Sequence, residues 1–341
     1  MNYAQINYKY PLPKNFDSSN QEFDIFKNVS PENCRKMEIK FFKNIRISNN
    51  SILFNYFNII KDSCISSMLF EKYQKNYKFF LKFIFPRLNF SSKRFLLITD
   101  EWTSNYYHWH IFALKKLALF KAENLVENSM LFLPKRYQRY KFVLPSLEKF
   151  GIKQNQIVFL HRKSNIKTAE TAMVMAPQHH SEAFKEIREV ILKNTQYKNL
   201  EFGNKIYISR EGQLLRFIEN EKEVTALLEK YGFKKLIMEK FSYDEQINIM
   251  RNAQYVVSPH GAGLTNILFM AENTNVLEMT TKPNPNKPLT DYYKLSTMLG
   301  INYFYQENDI CGQKEVDNFH EVSLVIDLKK LEKNLQLMLN Q

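Results

Sequence analysis

The chain is short of glycine, cysteine and long apolar runs, and each shortage closes off a class of protein. Only 8 of its 341 residues are glycine, which removes collagen-like and glycine-rich low-complexity readings. The three cysteines, Cys34, Cys64 and Cys311, are odd in number and far apart. That suits a reducing cytoplasm with incidental thiols, not a disulfide framework or a zinc site. No apolar run reaches the ~18 residues of a membrane span. The longest, residues 79–85, is broken by Lys82 and ended by Pro86. The opening Met1-Asn-Tyr-Ala-Gln lacks the basic start and apolar segment of a secretion signal. A cytoplasmic protein is expected.

What the chain does have is core-building material and positive charge. It is 44% hydrophobic, with 28 Phe and 19 Tyr, and its length exceeds the usual single-core size, so two domains are expected. Lys and Arg number 48 against 35 Asp and Glu, a net charge of +13. No zinc-finger spacing or RNP-like string accompanies that charge, and the lysines are spread along the chain, so no nucleic-acid partner is expected. Two readings of the surplus stay open. One is a basic face against an anionic membrane surface, placing the protein peripherally at the inner face of the membrane. The other is a compositional bias whose solvated lysines keep the protein soluble. Nothing bears on the oligomeric state.

Residues 1–50 show little periodicity and read as an irregular lead-in. From about residue 95 apolar runs of strand type alternate with helical patterns: strands at 95–99, 130–133, 157–160 and 172–175, helices at about 105–121, 139–150 and 181–195. A second series follows, with strands at 205–209, 235–239, 254–258, 275–279 and 303–305. Helices intervene at 220–232, 242–252, 264–270 and 289–299, with a last one at 327–339. Asn220 with Glu223 three residues on reads as a capping box. Strands alternating with helices predict α/β architecture, two doubly wound domains with parallel sheets covered on both faces. The domains are set at 1–195 and 196–341, and ligands are expected at the carboxyl ends of the strands.

Two of the scarce glycines fall together in Ser258-Pro-His-Gly-Ala-Gly-Leu-Thr-Asn266, between a strand and a helix. Glycine there admits positive φ and close approach of a ligand, and a helix N-terminus attracts anions. A diphosphate is the natural occupant; the plain alternative is a tight turn. The string is no P-loop, lacking Gly-Lys-Ser/Thr, and Asn266 stands where a dinucleotide fingerprint needs its third glycine. A nucleotide-binding dehydrogenase is thereby disfavoured.

The wider pattern is more specific. Tyr207-Ile-Ser-Arg210, Arg216-Phe-Ile-Glu-Asn220, Phe241-Ser-Tyr-Asp-Glu-Gln246, the string 258–266 and Val276-Leu-Glu278 occur in this order, with Asn105-Tyr-Tyr-His-Trp109 upstream. Together they resemble the family 61 glycosyltransferases over roughly residues 95–310. The resemblance implies a GT-B-like fold, two Rossmann-like domains facing a cleft. It also implies an inverting enzyme that moves a sugar from a nucleotide-sugar donor to a glycan or lipid-linked glycan acceptor. Bacterial members are associated with capsule or other surface polysaccharide synthesis. An inactive, transferase-like nucleotide-sugar-binding protein is the alternative.

By that resemblance, the C-terminal domain holds the donor. Gly261, Ala262 and Gly263, with Leu264, Thr265 and Asn266 of the first helical turn, receive the diphosphate. Arg210 and Arg216 pair with phosphate, Glu278 accepts ribose hydroxyls, and His260 donates to a phosphate or the donor sugar. Arg210, His260, Gly261, Gly263 and Glu278 are expected to line one pocket between the domains. Each has a structural alternative: a surface ion pair for Arg210, a buried carboxylate tied to backbone for Glu278, a turn-holding amide for Asn266. The acceptor's proton needs a base. The family's acid four positions after its His is Phe112 here, a departure that leaves His108, His110, Asp100 and Glu101, with His108 first because imidazole titrates near neutrality. Asn105, Tyr106 and Trp109 are candidates for a sugar platform or simply core. No Asp-x-Asp pair follows a strand, so no metal is expected, and no cofactor beyond the nucleotide-sugar co-substrate.

Overall fold

The computed structural model describes residues 3–27, 29–84, 90–162, 164–175, 179–213, 215–282, 289–311 and 322–340. The end of the 79–85 run, with Pro86, lies outside them. The chain divides into two compact units: Met1–Ile6 with Cys34–Asn194, and Asn7–Asn33 with Thr195–Gln341.

The first unit is built on β1 (Glu38–Ser48), β2 (Leu53–Asn55), β3 (Asn58–Ile59), β4 (Phe90–Leu97), β5 (Ser129–Pro134), β6 (Ile157–Leu160) and β7 (Asn165–Met175). They form one sheet in the order β3-β2-β1-β7-β4-β5-β6. Strands β7, β4, β5 and β6 run parallel, while β1 pairs antiparallel with β7 over almost its whole length and β2 and β3 continue antiparallel. The sheet is therefore mixed, not wholly parallel, and part of the expected irregular lead-in forms its longest pairing. The reason is in the string Glu38-Ile-Lys-Phe-Phe-Lys-Asn-Ile-Arg-Ile-Ser48. Its first seven residues are exposed or half-buried, and Asn44 takes φ 51° where one pair is missing from an otherwise constant register. A strand whose first seven positions are wet has neither an apolar run nor clean alternation. Ile45, Ile47, Leu53, Phe95, Leu97, Phe132, Leu160, Ile166 and Met173 close the core.

The second unit contains β8 (Lys205–Ile208), β9 (Lys234–Leu236), β10 (Tyr255–Pro259), β11 (Asn275–Thr281), β12 (Asn302–Ile310) and β13 (Leu324–Val325). Their order is β9-β8-β10-β11-β12-β13, all parallel except β13. The chain winds from β8 outward to β9, then returns to β10 on the other side. The carboxyl ends of β8 and β10 thus flank a topological switch point, where open α/β sheets open a crevice. Helix Tyr243–Asn252 carries a capping box, Ser242 with Glu245. Asn220 forms none: its side chain instead exchanges two hydrogen bonds with the backbone of Ile326, 2.9 Å each, so the amide is spent on the chain leading out of β13.

Asn7–Asn33 straps this sheet. Lys14 N–H donates to Tyr303 O (2.8 Å), and the Asn15 amide pairs with both backbone groups of Tyr305 (2.7 and 3.0 Å). Phe23 and Phe26 are buried, the Phe26 ring centroid 4.8 Å from Tyr293 and 4.9 Å from Tyr305.

Candidate active site

Sequence and topology meet at the switch point of the second unit. Arg210 follows β8, and Pro259-His260-Gly261 ends β10 and leads into a 3-10 helix, Ala262–Phe269. Gly261 has extended backbone, φ 162° and ψ 172°, and Gly263 is not among the glycines with positive φ. The glycines are there for space, not for a left-handed conformation. A Cβ at Gly261 would collide with Nη1 of Arg210, and one at Gly263 would stand 3.1 Å from Cγ2 of Ile208. The guanidinium of Arg210 therefore lies flat against the turn.

That guanidinium is aimed by backbone: Nε donates to Arg216 O (3.0 Å) and Nη2 to Leu215 O (3.2 Å). Arg216 itself takes φ 59°, a left-handed value that is costly for a side chain. Burial first, then the charge of Arg216, presses the Arg210 pKa down. Among the described residues no carboxylate forms an ion pair with Arg210 or Arg216, and Nε of Arg216 is shut from solvent without a partner. Two guanidinium groups at a sheet's carboxyl edge thus stand outside any ion pair, with Glu239 acting on Arg210 only at longer range.

Beside it, Glu278 is 1% exposed. One oxygen meets Nδ1 of His260 at 2.5 Å and the other accepts from the Tyr303 hydroxyl at 2.7 Å. With Nδ1–H donating to the carboxylate, the free valence of the imidazole is Nε2. Thr265 and Asn266 are buried. Asn266 donates to Gln246 Oε1 (3.2 Å) and Gly263 O (3.1 Å), and Thr265 lies 3.5 Å from the Tyr292 hydroxyl. Leu264 belongs to the core, while Ala262 and Gly263 are half-buried. Arg210, His260, Gly261 and Gly263 thus follow neighbouring strands of one unit, and Glu278, mid-way along β11, lies beside the end of β10.

The aromatic segment of the first unit starts at the carboxyl end of β4. Asn105 accepts from Tyr107 N–H (2.8 Å) and starts a helical turn, which passes into a π-helical turn over Trp109–Ala113 and then Leu114–Ala122. Such turns recur at functional sites. Trp109 is fully buried and donates to Ser146 Oγ (2.8 Å), so its ring is core and offers no face to a sugar. His110 is equally buried, held at the Tyr106 carbonyl (2.8 Å), and burial pushes its pKa down to about 4. Asp100 is committed: one oxygen takes the N–H groups of Trp102 and Thr103, the other pairs with Lys116 at 3.0 Å. His108 stacks on Phe112 at 5.2 Å with Trp102 at 5.6 Å, and Tyr106 packs edge-on to Phe142.

One group here, Trp102, escapes a reading of the sequence alone, while Glu101 is one of the base candidates that reading left. Trp102 is 52% exposed, the open aromatic face that Trp109 does not provide. Glu101 has both oxygens sealed from solvent with no side-chain partner. Burial raises its pKa, reinforced by Asp100, while Arg136 and the backbone N–H groups of Glu101 and Ile65 oppose the rise. Among the described residues no three His, Cys, Asp or Glu side chains converge to ligate a metal, and no helix is long and apolar enough to cross a membrane.

The sequence model of the glycosyltransferase 61 family matches residues 77–277. The chain belongs to this family. The matched stretch takes in β4, the aromatic segment, Arg210 and the glycine turn, and ends one residue before Glu278. The chain is also 32% identical over 130 residues to the EGF domain-specific O-linked N-acetylglucosamine transferase of Drosophila melanogaster. That alignment covers 36% of this family 61 chain and 24% of the relative.

Proposed function

We propose that this family 61 protein is an inverting, metal-independent glycosyltransferase of GT-B type. The observation that carries the proposal is the Arg210 guanidinium, laid against Gly261 with no carboxylate partner. A nucleoside diphosphate supplies the missing negative charge, and phosphate matches the planar donor fork of arginine. The acceptor is a glycan or lipid-linked glycan of surface polysaccharide synthesis, and the relative's name makes UDP-N-acetylglucosamine the first donor to try.

In the reaction the acceptor oxygen bonds to the anomeric carbon as the bond to the diphosphate oxygen breaks. Charge then builds on the leaving group, where Arg210, Arg216 and the turn's N–H groups stabilise it. His260, its tautomer fixed by Glu278, presents Nε2 to a hydroxyl of the donor. The acceptor's proton needs a base; within the first unit Glu101 is the carboxylate tuned upward by burial, while His110 and Asp100 are otherwise engaged.

Calorimetric titration of UDP tests the site. Arg210→Ala deletes a charge-assisted contact worth ~1.5–3 kcal/mol, so affinity falls about one to two orders of magnitude with the melting temperature little changed. Unchanged affinity refutes the placement. Wild type that binds UDP yet neither transfers nor hydrolyses any donor is instead an inactive binding protein.

A further inference from the structure

The first unit carries a surface feature with no part in the chemistry above. Of the eleven large apolar side chains that stand exposed among the described residues, four lie between residues 56 and 77: Tyr56 at 82%, Phe57 at 65%, Met68 at 75% and Tyr77 at 68%. Apolar residues exposed singly need no explanation, but a group drawn from consecutive elements does. Tyr56 and Phe57 form the tip of the β2–β3 hairpin, with Tyr56 at φ 49°. Met68 stands on helix Ser67–Gln74 and Tyr77 begins helix Tyr77–Ile84.

These elements are held as one body. Gln74 accepts from Ile59 N–H (3.1 Å) and donates to Phe57 O (3.0 Å), fixing the hairpin to the first helix. The Phe57 ring meets Phe80 of the second helix at 5.7 Å. Beneath lie Ile52, Phe54, Ile59, Phe79 and Phe80, a satellite core of their own. The exposed tip is therefore displayed on a packed base and does not result from poor packing.

Charge decides what covers it. Lys61, Lys72, Lys75 and Lys78 lie in the same stretch of chain as the apolar groups. Lys61 reaches over the Phe70 ring and Lys78 over the Tyr77 ring, each 6.0 Å from the centroid. The two acids in the same stretch are engaged, Asp62 with Lys40 (2.6 Å) and Glu71 with Lys75 (3.8 Å). Aromatic rings collared by lysines whose stems lie along them match the boundary between acyl chains and anionic headgroups. We propose that the β2–β3 tip and the two helices after it dock the protein on an anionic lipid membrane.

The test is co-sedimentation of the full chain with vesicles, one set of phosphatidylcholine and one with phosphatidylglycerol added. Each lysine near an anionic leaflet multiplies binding about fivefold, so the anionic vesicles should bind at least tenfold more protein, and high salt should abolish the difference. Tyr56→Ser with Met68→Ser should reduce binding about tenfold with an unchanged melting temperature, since neither side chain is buried. Phe57→Ser should do the same, and its contact with Phe80 makes the exposed pair the control for folding. Equal binding to both vesicle types, no binding, or binding indifferent to both variants overturns the proposal. So does a dimer in light scattering, without lipid, that the same variants dissolve, because the face then covers a second copy. No donor or acceptor enters the assay, so its failure is distinguishable from failure of the transferase reading.

Discussion

The carboxyl edges of the two sheets carry opposite imbalances. In the second unit, Arg210 and Arg216 stand without a carboxylate, and the acid nearby, Glu278, is spent on His260 and Tyr303. In the first, Glu101 is sealed without a side-chain partner, while its neighbour Asp100 is spent on Lys116 and two N–H groups. Each edge thus keeps one charge type uncompensated and ties up the other. A cation outside any ion pair is a place for an anionic ligand; a buried carboxylate with no side-chain partner has its pKa raised by burial, which suits proton transfer. The units also differ in how they are closed. The second takes a long strap from the start of the chain across β12, while the first takes a shorter piece, with Tyr3 bonded to Glu186 and Ala4 O to His180.

The largest expected effect tests that difference in closure. Phe26→Ala removes a buried ring between Tyr293 and Tyr305, and such truncations cost ~3–5 kcal/mol. Calorimetry should show the second unit melting earlier and the first hardly changed; equal loss in both would remove the distinction. The next effect tests the cation edge. Gly261→Ala places a methyl group against Nη1 of Arg210, and the flexible end of that side chain can swing away at little cost in stability. UDP affinity should then fall about ten- to a hundredfold, the loss of one charge-assisted contact, at nearly constant melting temperature. A large drop in melting temperature would show that the glycine serves the turn instead.

The smallest effect tests the carboxylate edge. The Glu101 pKa is raised in the folded state, so the stability it contributes is full below the unfolded value and is lost as pH rises through the folded one. Glu101→Gln keeps the shape without the charge. Its melting temperature should match wild type near pH 4 and exceed it increasingly toward pH 8, while transfer is lost. A constant offset across that range would mean that Glu101 is not buried as a charge.

Much of the second unit was legible in the sequence because its strands are short, apolar and parallel. All five strands assigned there exist, and β13 is the addition. The first unit was harder. Its long antiparallel pair, β1 with β7, alternates poorly and is wet over the first seven positions of β1, so local pattern could not announce it. The capping box assigned to Asn220 illustrates the same limit: the spacing is right, yet the amide finds Ile326, more than a hundred residues away.

The site divides along the same line. Residue order alone was enough to set Arg210, His260 and the Gly261–Gly263 turn past strand ends, because a βα unit puts every strand-to-helix turn on one edge of the sheet; Glu278, expected near an end, sits mid-strand because β11 runs on to Thr281. Which of those groups are compensated is decided by packing between elements far apart in the chain. The glycines serve space and not positive φ because Arg210 packs on Gly261 and Ile208 on Gly263. Trp109 is core and Trp102 is surface because a π turn and Ser146 fix their directions. Glu101, and not Asp100, is left without a partner because Lys116 of the following helix reaches one carboxylate and not the other. Local sequence fixes where a group sits along an edge; its charge balance is a sum over neighbours that only the folded chain brings together.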